Sequence, residues 1–429
     1  MKPIEVDVAI VGAGQAGLGT AYHLSQAGLD YVVLERGRIG ETWRSQRWDS
    51  FTLNTPNAMN GLPGADYNGP DPLGFMTHTE LVTSFEEYVT RFDLPVRTGV
   101  TVTGVRRIDG TDRFEVSGQS DADGPVRYLA TSVVIASGIM QTPRIPAFSS
   151  AIPAGVTQLH TGDYRSPGPL PPGAVVVVGG GQSGAQIVED LLAAGRTLYF
   201  SISKVARVPR SYRGRDFMDW WIDMGMWEVE PAGLDNPADM TAANPTVSGV
   251  GPRGHTISYQ QLVRDGATLM GRLQGVEGSV LTTDDRVMEY IANADDRSQM
   301  MKNAIDRYIE THHIDAPPAV ADPADTPVPP GEAVPFITEL DLASADVGTV
   351  IWSTGFSADF SWIDPPVTGA DGRPDHDRGV SIVDGVYFIG FPWLSTRKSG
   401  IVFGIEDDAR HITKAIVERA SRMDPAPIA

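Results

Sequence analysis

The stretch that decides the fold is "VVVVGGGQSGAQIVEDLLAAG", Val175 to Gly195. Four consecutive valines read as a strand buried on both faces. Gly179, Gly181 and Gly184 then supply a GxGxxG turn, and a helical pattern follows. The same device stands near the start of the chain in "VDVAIVGAGQAGLGTAYHLSQAG", Val6 to Gly28, with Gly12, Gly14 and Gly17 at the equivalent positions. In such a turn the first glycine makes the tight bend, the second lets a diphosphate approach the backbone, and the third lets the helix pack on the strand. Ala13, Gln15 and Ala16 of the first copy, with Gln182 and Ser183 of the second, are expected to complete the two cradles. Two copies predict an α/β chain with two Rossmann-like dinucleotide-binding domains.

The copies differ at the end of the following strand. In the first, "YVVLER" ends in Glu35, 18 residues after Gly17, where a carboxylate can accept hydrogen bonds from a ribose diol; Arg36 stands beside it. In the second, "TLYFSIS" ends at Ser203 without an acid. Lys204, Arg207, Arg210, Arg213 and Arg215 follow. A cation suits a 2'-phosphate where an acid would grip a 2'-hydroxyl, so NADPH is expected in preference to NADH, with Lys204 and Arg207 as its contacts. The alternative is that these cations pair with Asp216 and Asp219 on a solvated face. A flavin dinucleotide at the first copy and a visiting nicotinamide at the second would form an electron relay.

Composition narrows the destination of those electrons. The 429 residues carry 34 basic and 54 acidic side chains, a net charge of -20, which disfavours nucleic acid and anionic membrane surfaces as partners. The chain has no cysteine, so disulfides, thiolate metal sites and a dithiol relay are excluded, and no metal is expected. No apolar run approaches the ~20 residues of a spanning helix, and a cytoplasmic protein is expected.

The proline-rich "RSPGPLPPG", Arg165 to Gly173, reads as a connector. It places residues 1–168 and 336–429 in a discontinuous FAD domain and residues 169–335 in an NADPH domain, including a largely helical insertion from about 214. Met301, Ile305, Tyr308 and Ile309 have helical spacing within that insertion. The insertion is expected to cover the active site or to form a subunit interface, the latter making a homodimer. "APPAVADPADTPVPPG" reads as a surface loop and the chain closes with a helix from about Glu406.

The order of "GAGQAGL", "LERGRIGETWRSQRWDSFTLNTPN", "IASGIMQTPRIPAF", "HTGDY", "GGGQSGAQ", "WSTGF" and "GVYFIGFPW" resembles that of the class B flavin monooxygenases over nearly the whole chain. That family includes the flavin-containing monooxygenases, the N-hydroxylases and the Baeyer-Villiger enzymes. The resemblance implies FAD and NADPH as cofactors, O2 and a small organic molecule as substrates, and transfer of one oxygen atom from a flavin C4a-hydroperoxide. It places Thr42 and Trp43 of "GETW" at the flavin. Ser137 of "IASG" and Thr354 of "WSTG" fall at the links between domains, with Val102 and Gly390 as further cofactor contacts. Asn54 of "TLNTPN" matches the family asparagine near the peroxide and is the expected catalytic residue.

The family fingerprint FxGxxxHxxx followed by an aromatic is met only in part. His160 and Tyr164 keep their spacing, whereas Phe148 and Gly155 lie too far upstream. The terminal Tyr resembles the heteroatom oxygenases, so oxygenation of an amine nitrogen is expected first. Sulfur or Baeyer-Villiger oxygenation, or a flavin reductase without oxygen insertion, are the alternatives. His160 is read as organising the domain junction. Trp48, His78, Trp221, Trp393 and Lys398, with Trp220 and Trp227, are candidates for the substrate pocket.

Overall fold

The computed structural model describes residues 2–327 and 334–423. Strand β1 (Ile4–Val11), helix α1 (Gln15–Gln26) and strand β2 (Tyr31–Leu34) form the first nucleotide unit. Helix α2 (His78–Phe92) starts in a capping box between Thr77 and Glu80, which satisfies two of the orphan donors of its first turn. Strands β3 (Val100–Arg107), β4 (Phe114–Ser120) and β5 (Gly124–Ile135) run as an antiparallel meander, and β5 returns to pair in parallel with β1.

Strand β6 (Thr157–His160) precedes the second unit of β7 (Ala174–Val178), α3 (Gln182–Ala193) and β8 (Leu198–Ser201). Beyond it come α4 (Phe217–Asp223), β9 (Ala267–Met270), the long α5 (Val287–His312), β10 (Val347–Trp352), β11 (Val386–Phe388) and the closing α6 (Ile405–Met423).

The strands divide between two principal sheets. The ten-stranded sheet holds β1 to β5 and β11. The six-stranded one runs Phe336–Ile337, β9, β8, β7, β10, β6, every pair parallel. All five residues of β7 are buried, as a central parallel strand covered on both faces requires.

Sheet membership moves the expected seams. Thr157–His160, Phe336–Ile337 and Val347–Trp352 were assigned to the first domain by the divisions at 168 and 336, yet they pair in the second sheet. The chain leaves the first sheet after Ile135 and the second after Trp352, which is where "IASG" and "WSTG" lie. Proline content marks an exposed segment, whereas sheet membership is set by pairing between distant strands, which no local composition reports.

The segment from 214 to 335 is likewise less helical than expected. It contributes α5 but also β9 to the parallel sheet, and a hairpin of Leu273–Glu277 with Val280–Thr283. The stripe on α5 buries Ile305 and Ile309 against Trp220, so here the helical spacing is core packing. Of the proline-rich loop 316–331, residues 328–331 lie outside the described residues.

Candidate active site

The two glycine turns have nearly the same geometry. Gly12 has φ +113° and Gly179 φ +116°. A Cβ on Gly12 would lie 2.4 Å from the Ala136 carbonyl oxygen, and one on Gly179 2.2 Å from that of Ser353. A Cβ on Gly17 would lie 1.9 Å from the Gly12 oxygen, and one on Gly184 2.0 Å from that of Gly179. Only the middle glycines differ: a Cβ on Gly14 or Gly181 would meet no protein atom within 4 Å. The outer glycines are thus closed by the protein itself, while the middle ones face open space at a helix start. Neither Gly14 nor Gly181, the extended caps of α1 and α3, provides a side-chain hydrogen bond, so the first N–H groups stay free for an anion. Both cradles therefore fit a dinucleotide diphosphate.

In the first cradle Glu35 is buried and its carboxylate is aimed by two backbone donors, Ala13 N at 2.8 Å and Gly37 N at 2.8 Å. Arg36 is exposed. Thr42 and Trp43 sit in the helical turn Glu41–Ser45; Trp43 Nε1 donates to Gln15 Oε1 at 2.8 Å, and Gln15 Nε2 donates to the Gly400 oxygen at 3.3 Å. Gly390, at φ +81°, lies so close to α1 that a Cβ would come within 2.6 Å of that of Ala16. Val102 is half-buried on β3 beside a register shift, and Ser137 Oγ accepts from Gln141 Nε2 at 3.1 Å.

In the second cradle Gln182 grips the backbone of Val247 in both directions: its Nε2 donates to the carbonyl at 2.5 Å and its Oε1 accepts from the amide at 3.0 Å. Ser183 and Ser203 are half-buried, and the Thr354 hydroxyl donates to the Arg144 carbonyl. Lys204 is exposed and forms no ion pair among the described residues.

Arg207, expected at the 2'-phosphate, is held in ion pairs. Its buried guanidinium is shared between Asp295 and Asp325, each at 2.9 Å, and donates to Ser298 Oγ at 3.2 Å. The carboxylates come from α5 and from the loop after it, pairings across 88 and 118 residues of sequence. Arg213 and Arg215 pair with Asp306 and Asp223, leaving Lys204 as the available cation of the run.

Asn54 is tied to the helix of the second unit. Its Oδ1 accepts from Gln186 Nε2 of α3 at 3.0 Å, and its carbonyl accepts from Arg210 at 2.8 Å. Arg210 is buried, pairs with Asp216 at 2.5 Å and lies over the rings of Phe75 and Phe217. Burial pulls its pKa down and Asp216 opposes this. Neither Gln186 nor Arg210 was anticipated as part of the site. The signal for Gln186 was present, since it is a lone amide in the buried run from Gly184 to Val188. For Arg210 there was none beyond its charge.

Several pocket candidates are packed or paired within the protein. Trp48 is buried between Phe51 and Tyr164. Trp221 is buried, donates to Met301 Sδ at 2.9 Å and packs edge-on to Phe217 and Trp227; Trp220 is also fully buried. Lys398 is buried in ion pairs with Glu228 and Asp407, both 2.6 Å. Burial lowers its pKa, but the hydrogen bonds it donates to these two carboxylates, with their charges, outweigh that and raise it. Large rings and lone charges at a domain junction gain most from packing and pairing, and these took that course.

His78 and Trp393 stay accessible. His78 Nδ1 donates to the Trp43 carbonyl at 3.0 Å, and burial lowers its pKa. Trp393 holds φ +61° with the Arg397 guanidinium between its ring and that of Trp221. His160 ties the second link: Nε2 donates to the Gly355 carbonyl at 2.9 Å, while Nδ1 accepts from Gly162 N at 3.2 Å. One further cation went unnoticed in the sequence. Arg47 stacks on Trp43 and Phe51 with no carboxylate partner among the described residues, and burial lowers its pKa to about 10.

Two dinucleotide cradles on separate sheets, with side-chain hydrogen bonds running between them at Asn54, define a two-nucleotide oxidoreductase. The profile of the pyridine nucleotide-disulphide oxidoreductases matches residues 9–213. An uncharacterized CzcO-like oxidoreductase of Geobacillus kaustophilus is 30% identical over 415 residues, which span 96% of this chain and 98% of the relative. The chain belongs to that family of oxidoreductases and is an enzyme. A probable indole-3-pyruvate monooxygenase of Arabidopsis thaliana, YUCCA3, is 28% identical over 222 residues, half of each chain. A flavin-containing monooxygenase structure from Stenotrophomonas maltophilia superposes with a TM-score of 0.64 at 19% identity, covering 97% of this chain and 99% of that one. The fold is accordingly that of the flavin monooxygenases. No helix among the described residues is long and apolar enough to cross a membrane.

Proposed function

We propose that the chain inserts one oxygen atom from O2 into a small organic substrate at the expense of NADPH, with an amine nitrogen as the acceptor. The reading is carried by one observation: Asn54 of the first unit is bonded on its side chain by Gln186 and on its backbone by Arg210, both of the second. An amide held at the seam of two cradles lies where a hydride donor and acceptor have to meet. Bound FAD supplies the hydride acceptor and, once reduced, the centre that activates O2.

The chain's own residues do the rest. The open face at Gly14 takes the flavin diphosphate and Glu35 the ribose diol. Gly181 takes the second diphosphate, with the Lys204 ammonium on the 2'-phosphate. Asn54 directs its Nδ2–H to the reacting oxygen, and the cluster of Met218, Trp221 and Trp227 keeps water from the seam. The first sheet with α6 is the FAD domain and the second sheet the NADPH domain. The spacing of His160 and Tyr164 supports the amine.

A second substrate class is favoured by Arg47, whose unpaired guanidinium suits a substrate bearing a carboxylate. The Arabidopsis relative is named for one such acid, indole-3-pyruvate.

Turnover of an amine panel and a 2-oxo acid panel under 18O2 tests the proposal. Label is expected in the product, and an oxygenated product without label, its oxygen drawn from water, overturns the reading. Asn54→Ala is expected to slow product formation about 100-fold, the cost of one donor aimed at developing charge, while NADPH oxidation continues into hydrogen peroxide.

A further inference from the structure

We infer that Gln186 is a positioning residue which fixes the polarity of the Asn54 amide, so that the second nucleotide unit controls the donor used by the first. The inference rests on the monooxygenase reading of Asn54 but concerns a different residue on a different element.

An asparagine amide can present either a carbonyl or an NH2 group, and free rotation makes the two nearly equivalent. Here the choice is removed. Gln186 Nε2 donates to Asn54 Oδ1 at 3.0 Å, which occupies the oxygen and turns Nδ2–H2 away from α3. Arg210 fixes the backbone of the same residue at 2.8 Å, so the side chain pivots about a held point. Gly249 presses on the segment from another side, since a Cβ there would lie 2.0 Å from the Leu53 carbonyl oxygen.

The reverse arrangement is less favourable. Gln186 is buried, and its Oε1 has no hydrogen-bond partner among the described residues. Flipping the Gln186 amide would let Oε1 accept from Asn54 Nδ2 but would leave a buried N–H orphaned instead of a buried carbonyl. An orphaned donor is the rarer and costlier of the two. The observed pairing thus leaves Asn54 a donor toward the seam, as a developing negative charge on oxygen requires. Reduction of the cofactor and protection of the reacting oxygen are in this way linked through a single side chain of the nicotinamide-binding helix.

Two variants separate this from simple packing. Gln186→Leu removes the donor at similar volume, and Gln186→Glu replaces it with an acceptor that draws Nδ2 toward itself and turns Oδ1 outward. In both, peroxide released per NADPH is expected to rise about fivefold, the cost of one hydrogen bond, with FAD content and the KM for NADPH within twofold of the parent. Amide-proton NMR of [15N]Asn-labelled apoprotein supplies a readout independent of turnover, with Asn54→Asp identifying the signal. The Asn54 Nδ2 protons should exchange freely in the parent and become protected in Gln186→Glu. Protected Nδ2 protons in the parent, or parental coupling in Gln186→Glu, overturn the inference. If Asn54→Ala itself leaves coupling intact, the monooxygenase role of Asn54 fails instead, and the NMR result still decides the amide's orientation.

Discussion

Around the first cradle the acid proposed for the ribose, Glu35, is buried and fastened by two backbone amides, whereas around the second the cation proposed for the 2'-phosphate, Lys204, is exposed and unfastened. The turns themselves do not differ: φ at the first glycine is +113° and +116°, and the contacts a Cβ would make agree to within 0.2 Å, 2.4 against 2.2 Å and 1.9 against 2.0 Å. The cradle geometry is therefore a shared backbone property, and the distinction between the sites resides in side chains at the next strand's end. A fixed acid loses little entropy on binding and suits a resident cofactor, while a mobile ammonium suits one that comes and goes.

The sharpest way to break this equivalence is to substitute different glycines of one turn. Gly12→Ala and Gly179→Ala push a Cβ into a backbone carbonyl at a positive φ, and each should destabilise the apoprotein by about 3 kcal/mol or more. Gly14→Ala and Gly181→Ala add a methyl group that touches no protein atom, so apoprotein melting should be unchanged. Gly14→Ala should instead purify without FAD, and Gly181→Ala should raise the KM for NADPH with FAD retained. Equal melting losses at all four positions would show that the middle glycines are not the ligand-facing ones.

A smaller effect separates the two cations of the basic run. Arg207→Ala leaves Asp295 and Asp325 without their partner, and should cost about 2 kcal/mol, less than for a fully buried pair because both carboxylates are about a third exposed. Its KM values should hardly move. Lys204→Ala should leave melting unchanged and raise the KM for NADPH about tenfold, the equivalent of one charge-assisted contact, with that for NADH unaltered. If Arg207→Ala alters the KM for NADPH selectively, the buried ion pair is not its main role.

The contrast between Lys204 and Arg207 also shows what the sequence could and could not convey. Both glycine turns, the strand-ending Glu35 and the interdomain links were legible because each depends on residues within some twenty positions of one another. The ion pairs of Arg207 and Lys398 were not legible because their partners, Asp295, Asp325, Glu228 and Asp407, are remote or arrive from other elements. The burial of Trp48 and Trp221 was not legible because an aromatic looks the same in sequence whether it lines a cavity or fills a core. Gln186 was visible as a polar break in a buried run, but its meaning requires knowing that Asn54 lies opposite.

The smallest predicted effect concerns the loop over the second unit, which has no counterpart described at the first. His255 Nε2 meets Glu189 Oε1 of α3 at 2.6 Å, and its Nδ1 is 3.2 Å from the Val250 carbonyl; Asp322 lies nearby. This closes the loop whose Gly249 rests on Leu53, next to Asn54. The Glu189 hydrogen bond raises the His255 pKa, with burial opposing it. A raised pKa means that the pair's stabilisation is fully present below the histidine's unfolded value and is lost as pH rises through the folded one. Glu189→Gln should therefore lower the melting temperature by about 1 °C at pH 6, the scale of an exposed pair in a chain of this size, and leave it unchanged at pH 9. Paired melts of parent and variant at the two pH values decide it. A deficit equal at both would mean that the contact is a neutral hydrogen bond, which fastens the loop over Asn54 independently of pH.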